Sequence, residues 1–263
     1  MPARATAKTP DLEIVDASVR HVANLDLLVF GIDVAGESGA TTPTENGGLD
    51  GAPVLGCVIP TNLPSAAVGF KSDAGITALA VTSHPDFDDT PLWDKNGDGD
   101  YGDDGKLWHS HWVLVGPDKR VPGGLAMLEA ALAETSQVLP PTAPGLPLYL
   151  DSPGFPVKLT GSSLQVIVHA PRIAADPTFE FDAASTFLQV NTSTSDTARP
   201  MLGVYDVYGV LSGDLSLPYE VTQGWATGLA ARTNESPGAR ASRSRRRWRP
   251  RPRHRSTRSS SAS

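Results

Sequence analysis

Short runs of Val, Ile and Leu, separated by turn residues, constrain the fold of this chain more than any other feature of its sequence. Many short apolar runs with Gly, Pro, Asn or Ser between them are typical of an antiparallel β-sandwich or barrel. The 25 Gly and 23 Pro residues agree with frequent turns. We therefore predict a mainly β fold, a sandwich or barrel of short antiparallel strands that begins with a hairpin. The predicted strands span 12–22, 25–34, 54–59, 75–83, 107–115, 148–150, 157–159, 164–169, 179–181, 186–190, 202–210 and 215–221.

One window has helical rather than strand spacing. Residues 124–138 place several Leu side chains three or four positions apart, as on the apolar face of an amphipathic helix. We therefore predict one short helix there. The composition divides the chain into a flexible N-terminus at 1–10, a β-rich domain at 11–225 and a disordered basic tail at 226–263.

Charge is distributed unevenly along the chain. Residues 231–263 hold 11 Arg and one Glu, whereas residues 1–230 hold 11 basic and 28 acidic groups, a net charge of −17. Because an acidic body repels phosphates, we expect nucleic acid to bind only through the tail, if it binds at all. The tail alternates Arg with Ser and Pro and has too few apolar residues for a core, which predicts disorder. A frame artefact in the coding sequence explains its abrupt onset equally well.

Other features exclude whole classes of protein. Cys57 is the only cysteine, which excludes an intramolecular disulfide and a Cys-based metal cluster. No apolar run approaches the ~20 residues that cross a bilayer, so we predict no membrane span. The basic N-terminal residues are not followed by the apolar stretch of a secretion signal. We expect a secreted or periplasmic protein whose leader is missing, or alternatively a cytoplasmic one.

An acidic segment that begins at Asp94 is the densest group of carboxylates in the chain. Asn96 and Asp98 follow at alternate positions, and Gly99 and Asp100 complete a D-x-N-x-D-G pattern. Repulsion among these carboxylates favours a bound cation, and calcium prefers oxygen ligands of this kind. The pattern resembles the first half of the calcium loops of EF-hand and dockerin proteins. The resemblance implies Ca²⁺ ligands at these positions.

The likeness to those calcium loops ends in the second half of this acidic loop, which spans 94–104. The twelfth position, a bidentate Glu in EF-hands, is Gly105 here, so Asp103 or Asp104 would have to complete the ligand shell. A solvated turn, in which the Asn-Gly and Asp-Gly steps only reverse the chain, explains the same residues. The sequence leaves both interpretations open.

A strand with two histidines follows the acidic loop. Because side chains alternate across a strand, His109 and His111 are predicted to share one face, and Trp108 and Trp112 the other. Two imidazoles on one face can bind one Zn²⁺ or Cu²⁺ ion. This H-x-H pattern resembles the metal strands of cupins and of α-class carbonic anhydrases.

A third ligand for such an ion has to come from elsewhere in the chain. His169, at the end of another predicted strand, and His84, after the strand at 75–83, are the two candidates. The alternative is a half-exposed face on which the histidines only form hydrogen bonds to nearby aspartates.

Two functions follow from these patterns. The first is a calcium-stabilised, extracytoplasmic β-sandwich that binds a carbohydrate or another small molecule. In such a binding module, aromatic side chains stack on the ligand. The candidates for stacking are Trp93, Tyr101, Trp108 and Trp112.

The second function is a metal-dependent enzyme of hydrolase, lyase or oxidase type. It would hold Zn²⁺ or Cu²⁺ on the H-x-H strand, with an open position for water and Asp86 or Asp88 as general base. The strings SHPDFDDTPLWD and GVYDVYGVLSGDLSLP resemble segments of bacterial proteins without an established function. That resemblance implies no reaction.

Overall fold

The computed structural model of the chain describes residues 7–71, 75–89, 94–128, 150–151, 153–192 and 198–224, and the statements below concern these residues. They form a mainly β structure, in which the helical segments are short 3-10 turns. The strands are β1 (Ile14–Val22), β2 (Leu27–Val34), β3 (Pro53–Thr61), β4 (Ile76–Ser83), β5 (His109–Pro117), β6 (Leu125–Met127), β7 (Leu150–Asp151), β8 (Val157–Thr160), β9 (Ser163–His169), β10 (Glu180–Phe181), β11 (Ala184–Val190), β12 (Leu202–Val210), β13 (Tyr219–Glu220) and β14 (Thr222–Gln223).

Six of these strands form a closed antiparallel barrel. Each strand is hydrogen-bonded to the next in the order β3, β4, β5, β6, β12 and β11, and β11 pairs again with β3. The closing pair runs from Pro53 opposite Gln189 to Val58 opposite Ala184. Closure satisfies backbone groups that an open sheet would leave unpaired at its edges. The predicted mainly β fold is confirmed, and the architecture is a barrel with an additional sheet.

The additional sheet has the strand order β14, β1, β2, β9 and β8. The predicted N-terminal hairpin is confirmed, because β1 and β2 pair antiparallel. Phe30 of β2 packs edge-on against Trp112 of β5, with the ring centroids 6.1 Å apart. This contact belongs to the main apolar core, which contains side chains from the additional sheet and from the barrel strands β3, β4 and β5.

A second group of buried apolar side chains contains residues from all six barrel strands. We infer that this group lies inside the barrel. Alternate residues of β3, β4 and β5 belong to this group, and the residues between them belong to the main core. Both faces of these three strands are therefore buried, which is why their sequences contain long apolar runs. The strand residues of this second apolar group are Val54, Val58, Ala78, Ala80, Val113, Val115, Met127, Leu188, Val190, Leu202 and Val204.

The prediction of a helix at 124–138 is wrong at its start. Leu125–Met127 form β6, which lies between β5 and β12 in the barrel. Tertiary pairing overrides the local helical spacing here, because both neighbouring strands offer backbone groups for hydrogen bonding. Residues 129–138 of the predicted helix lie outside the described residues, as do 1–6 of the predicted flexible N-terminus and the predicted tail at 226–263.

Candidate metal centre

Four buried side chains meet where β4 ends and β5 begins: His84, Asp89, His109 and His111. Strands β4 and β5 are antiparallel neighbours in which Thr82 pairs with His109. His84 lies two residues beyond Thr82 and therefore near the first residue of β5. Asp89 lies in the loop that follows β4. The sheet register thus brings this loop against the H-x-H strand, and we call the four side chains the His/Asp group.

The ligand atoms of the His/Asp group all lie within 4.8 Å of one another. The Nε2 atoms of His84 and His109 are 3.0 Å apart. Asp89 Oδ1 is 3.1 Å from His109 Nε2 and 3.4 Å from His84 Nε2, and Asp89 Oδ2 is 3.5 Å from His111 Nε2. No other three His, Cys, Asp or Glu side chains in the described part of the chain meet in this way. Three imidazoles and one carboxylate around one point are ligands suited to a transition metal.

His84 and His109 are oriented by their other ring nitrogens. His84 Nδ1 is 2.8 Å from the carbonyl oxygen of Phe87, and His109 Nδ1 is 2.6 Å from the carbonyl oxygen of Leu107. A carbonyl oxygen can only accept a hydrogen bond, so both Nδ1 atoms carry hydrogen and donate it. In the neutral rings, both Nε2 atoms then present a lone pair. Metal-binding histidines are commonly held by hydrogen bonds of this kind.

The facing lone pairs determine what the site needs. Two lone pairs at the 3.0 Å separation of the His84 and His109 Nε2 atoms repel each other. A metal cation bound by both nitrogens, or a proton shared between them, removes this repulsion. The Asp89 carboxylate lies against both nitrogens and balances such a charge. The geometry therefore favours a positive charge at the centre of the His/Asp group.

Burial and charge set the protonation states of the group. Burial raises the pKa of Asp89, but the electrostatic interactions of its carboxylate with His111, His84 and His109 outweigh burial and hold this pKa well below its ordinary value. Burial lowers the pKa of His109 and brings that of His111 well below its ordinary value. Burial also lowers the pKa of His84, but the charge and hydrogen bond of Asp89 more than compensate and raise it. An ionised Asp89 beside neutral His109 and His111 provides ligands in the states that bind a metal.

The loop that carries His84 is fixed by residues just after the acidic loop. The backbone N–H of His84 donates to the carbonyl of Gly105 at 2.7 Å, and Ser83 Oγ donates to the carbonyl of Lys106 at 2.6 Å. A Cβ on Gly105 would collide with the carbonyl oxygens of Phe87 and His84. The position that is Glu in an EF-hand thus has no room for a side chain, which explains why the calcium pattern stops there.

The acidic loop is folded by hydrogen bonds between its carboxylates and its own backbone. Asp94 accepts hydrogen bonds from the N–H groups of Gly97, at 2.6 Å, and Gly99, at 2.9 Å. Asp98 and Asp100 each accept one from the residue two positions later, at 2.8 and 2.9 Å. These contacts form Asx-type turns. They agree with either interpretation of the loop, so calcium binding at these residues, and at Asn96, stays a prediction.

The last two acidic residues of the loop have different surroundings. Asp103 is exposed, and desolvation together with the charges of Asp98 and Asp100 raises its pKa. Asp104 is fully buried and its Oδ1 accepts a hydrogen bond from the backbone N–H of Lys95 at 3.1 Å. Like-charge repulsion thus operates in the loop, but only one of the two carboxylates is enclosed by protein.

Two of the aromatic residues predicted to stack on a ligand are buried in the core. Trp112 is 1% exposed and Trp108 is 9% exposed, and both belong to the main core. Trp108 also donates its indole N–H to the carbonyl of Gly39 at 3.2 Å. Their burial leaves little of either indole ring exposed to a carbohydrate, and stacking by these two residues stays a prediction. Tyr101 is 51% exposed, and Trp93 lies outside the described residues.

The two candidates for a third histidine ligand lie in different parts of the fold. His84 belongs to the His/Asp group. His169 is exposed on β9 of the additional sheet, where it pairs with Leu27 of β2. The prediction that His169 joins the H-x-H strand is therefore corrected in favour of His84. The predicted common face of His109 and His111, opposite the tryptophans, agrees with their positions in the barrel.

The two candidates for a general base lie in the same loop as Asp89. The Asp86 carboxylate accepts hydrogen bonds from the backbone N–H groups of Asn46 and Gly47, at 2.9 and 2.6 Å, and so holds a neighbouring loop. Asp88 is half-buried, and its charge contributes to the raised pKa of His84. Neither belongs to the His/Asp group.

Sequence reasoning missed Asp89 as a ligand. The loop after β4 contains Asp86, Asp88 and Asp89, and the sequence offers no signal that ranks them. The position of this loop after a central strand did indicate a site, because sites are commonly built in such loops. The choice of Asp89 depends on how the loop returns to β5.

Comparison of the chain with protein-family models, with curated proteins and with solved structures finds no match. In the described ranges, no helix combines the length and the apolar character needed to span a membrane. The geometry of the His/Asp group is therefore the main indication of function.

Proposed function

We propose that the His/Asp group binds one divalent transition-metal ion and that the protein is a metal-dependent enzyme. One observation carries this proposal. The Nε2 atoms of His84 and His109 face each other at 3.0 Å, while both Nδ1 atoms are committed to backbone carbonyls. Both nitrogens can then bind the same cation, and Asp89 and His111 lie within ligand distance of it.

The ligand types indicate which metals fit. Imidazole nitrogens suit Zn²⁺, Cu²⁺ and neighbouring transition metals, whereas calcium takes six to eight oxygen ligands. Three neutral imidazoles and one carboxylate around a divalent ion leave a net charge of +1. A site with this charge favours an anionic ligand, such as hydroxide or a substrate oxygen anion, at a remaining coordination position.

The proposed enzymatic role follows from such a position. A bound metal ion lowers the pKa of a coordinated water molecule or polarises a substrate oxygen. The protein side chains hold the ion in place, and the two backbone carbonyls keep the rings of His84 and His109 oriented. Hydrolase, lyase and oxidase reactions all remain within this proposal.

Metal titration tests the proposal. Protein stripped with a chelator and dialysed should bind one equivalent of Zn²⁺ or Co²⁺, measured by calorimetry and by the visible spectrum of the cobalt form. His109→Ala should abolish this binding. His169→Ala is the matched control, because it removes a histidine from the additional sheet and should leave binding unchanged. Equal binding by the parent and His109→Ala would refute the proposed site.

A shared proton is the competing explanation for the contact between His84 and His109. It is supported by the raised pKa of His84. In that case the stripped protein binds no metal tightly, and ¹⁵N chemical shifts show a proton on one Nε2 atom at neutral pH. The titration and the NMR measurement together distinguish a metal centre from a proton-sharing pair.

The calcium-stabilised binding module is the second candidate function. The observation in its favour is Asp104 Oδ2, a buried carboxylate oxygen of the acidic loop that has no hydrogen-bond partner among the described residues. We expect any carbohydrate or small molecule to contact the exposed Tyr101 rather than the buried tryptophans. A calcium titration, described below, tests this candidate separately from the metal centre.

A further inference from the structure

The barrel interior contains a cavity that ends at the proposed metal centre. Its volume is ≈ 30 Å³, and its walls include His84, Asp89 and His111. A volume of this size holds one or two molecules as small as water. A ligand in this cavity would therefore lie directly against an ion bound by the His/Asp group. We call it the lumen cavity.

The walls of the lumen cavity are mostly apolar. Nine of its thirteen lining residues have apolar side chains, and the other four are Thr82 and three members of the His/Asp group. A buried water molecule usually needs two to four polar partners, and apolar cavities instead take up apolar molecules such as benzene or xenon. Water is thus favoured only at the metal end, and the rest of the cavity suits an apolar molecule.

The barrel interior contains further apolar space. A second cavity of ≈ 50 Å³ shares Val58, Met127 and Leu188 with the walls of the first. The small side chains of Ala80, in the first cavity, and Ala78, in the second, leave this space open on β4. The two cavities are therefore neighbours in the barrel, and the His/Asp group borders the first of them.

One polar atom in the wall of the lumen cavity has no partner. The hydroxyl of Thr82 is buried and forms no hydrogen bond within the described structure. A buried hydroxyl without a partner costs free energy, so a ligand that accepts its hydrogen bond is stabilised. The ligand that suits this cavity is therefore small, mostly apolar, and able to accept one hydrogen bond.

These observations lead to one inference, which rests on the proposed metal centre. We propose that the His/Asp group holds Fe²⁺, which can give electron density to dioxygen as Zn²⁺ and Cu²⁺ cannot, and that the lumen cavity binds dioxygen, or a diatomic ligand of the same size, against this ion. The Thr82 hydroxyl donates a hydrogen bond to the atom of the ligand that is not bound to the metal. Thr82 is a positioning residue in this arrangement, and Ala80 keeps the space open.

The first experiment needs no metal. Stripped protein is exposed to xenon, and the methyl groups of Val54, Val58 and Leu188 are followed by NMR. We expect saturable shifts of these methyl signals, at least fivefold weaker xenon binding in Ala80→Val, and unchanged binding in Thr82→Val. If Ala80→Val does not fold, the shape-preserving Thr82→Val variant tests the inference in the second experiment. Absence of xenon-induced shifts in the parent would overturn the inference and leave the metal proposal intact.

The second experiment uses nitric oxide as the diatomic probe on protein loaded with Fe²⁺. The EPR signal of the iron–nitrosyl complex should appear in the parent protein. The Ala80→Val variant should bind nitric oxide more weakly than the parent. Thr82→Val should weaken nitric oxide binding about five- to tenfold, as expected for one lost hydrogen bond. Thr77→Val is the matched control, because Thr77 is another buried threonine of β4 but does not line the lumen cavity.

Each outcome of the second experiment has a clear meaning. If nitric oxide binds Thr82→Val, Ala80→Val and the parent equally, the diatomic ligand does not use the lumen cavity and the inference fails. If Fe²⁺ does not bind although Zn²⁺ does, the inference fails and the metal proposal stands. If neither ion binds, both fail. Xenon shifts would then identify only an apolar cavity, so the two failures are distinguished.

Discussion

The His/Asp group and the acidic loop are close in sequence and opposite in physical character. The loop offers six candidate ligands within 94–104, whereas the group collects four from residues 84–111. The side chains of the group are buried, with all ligand atoms within 4.8 Å. In the loop most carboxylates are exposed, and several accept hydrogen bonds from the loop's own backbone.

This difference shows that a high density of acidic residues in a sequence does not by itself bring their carboxylates together in a buried group. Exposed carboxylates are stabilised by water and by nearby N–H groups, so nothing forces them towards a common cation. A buried carboxylate has lost its water and must be paired. Asp89 is in that situation, and its partners are three imidazoles that also need a shared positive charge.

The largest expected effect compares the two regions directly by zinc titration. His109→Ala combined with His111→Ala should weaken zinc binding more than 1,000-fold, about 4 kcal/mol, because two of four ligands are lost. Asp94→Ala combined with Asp98→Ala should change zinc affinity less than about twofold, since these side chains lie outside the group. Similar losses in the two double variants would contradict the distinction between the regions.

The next effect compares the stability contributed by the two regions. Trp112→Ala should lower the free energy of unfolding by about 3–5 kcal/mol, as for other large buried aromatic residues. Tyr101→Ala, in the exposed loop, should change it by about 0.5 kcal/mol or less. Urea denaturation followed by circular dichroism measures both. A small effect at Trp112 would show that β5 is not part of the core.

A smaller effect tests the choice of Asp89 over its neighbours. Asp89→Asn keeps the shape of the side chain but removes its charge, and should weaken zinc binding about 10- to 100-fold, or 1.4–2.7 kcal/mol. Asp86→Asn serves as the matched control, because Asp86 holds the backbone of Asn46 and Gly47. If Asp86→Asn weakens zinc binding more than Asp89→Asn does, the ligand has been assigned to the wrong aspartate.

The smallest expected effect concerns calcium. If the acidic loop binds Ca²⁺, a fivefold excess over the dissociation constant adds about 1 kcal/mol to the free energy of unfolding. Asp94→Ala combined with Asp98→Ala should remove this increment, while zinc-dependent stabilisation should persist. Thermal unfolding with and without calcium provides the measurement. A calcium response that survives in the double variant would place the calcium site elsewhere.

Much of the fold could be predicted from local patterns. The alternation of side chains assigned His109 and His111 to one face of β5, and Trp108 and Trp112 to the other, because this period is a property of any extended backbone. The apolar runs at 54–59 and 75–83 likewise indicated buried strands. The helix predicted at 124–138 failed at Leu125–Met127, where local spacing competed with pairing to two neighbouring strands.

Only part of the candidate site could be predicted from the sequence. The H-x-H strand and His84 could be proposed from residue type and spacing. The exclusion of His169 and the choice of Asp89 could not, since both depend on which strands become neighbours. The burial of Trp108 and Trp112 was also hidden, because the additional sheet covers a barrel face that a single strand pattern leaves open.

The sequence by itself determined that the chain forms short strands, which residues of each strand share a face, and that imidazoles and carboxylates are concentrated between residues 84 and 111. Only the tertiary structure decided that the histidine face of β5 lies inside a closed barrel and that Asp89 completes the group. The physical reason is that the two kinds of information act over different distances along the chain. Backbone geometry fixes side-chain alternation over a few residues, whereas a ligand set depends on distances between residues that strand pairing and barrel closure bring together.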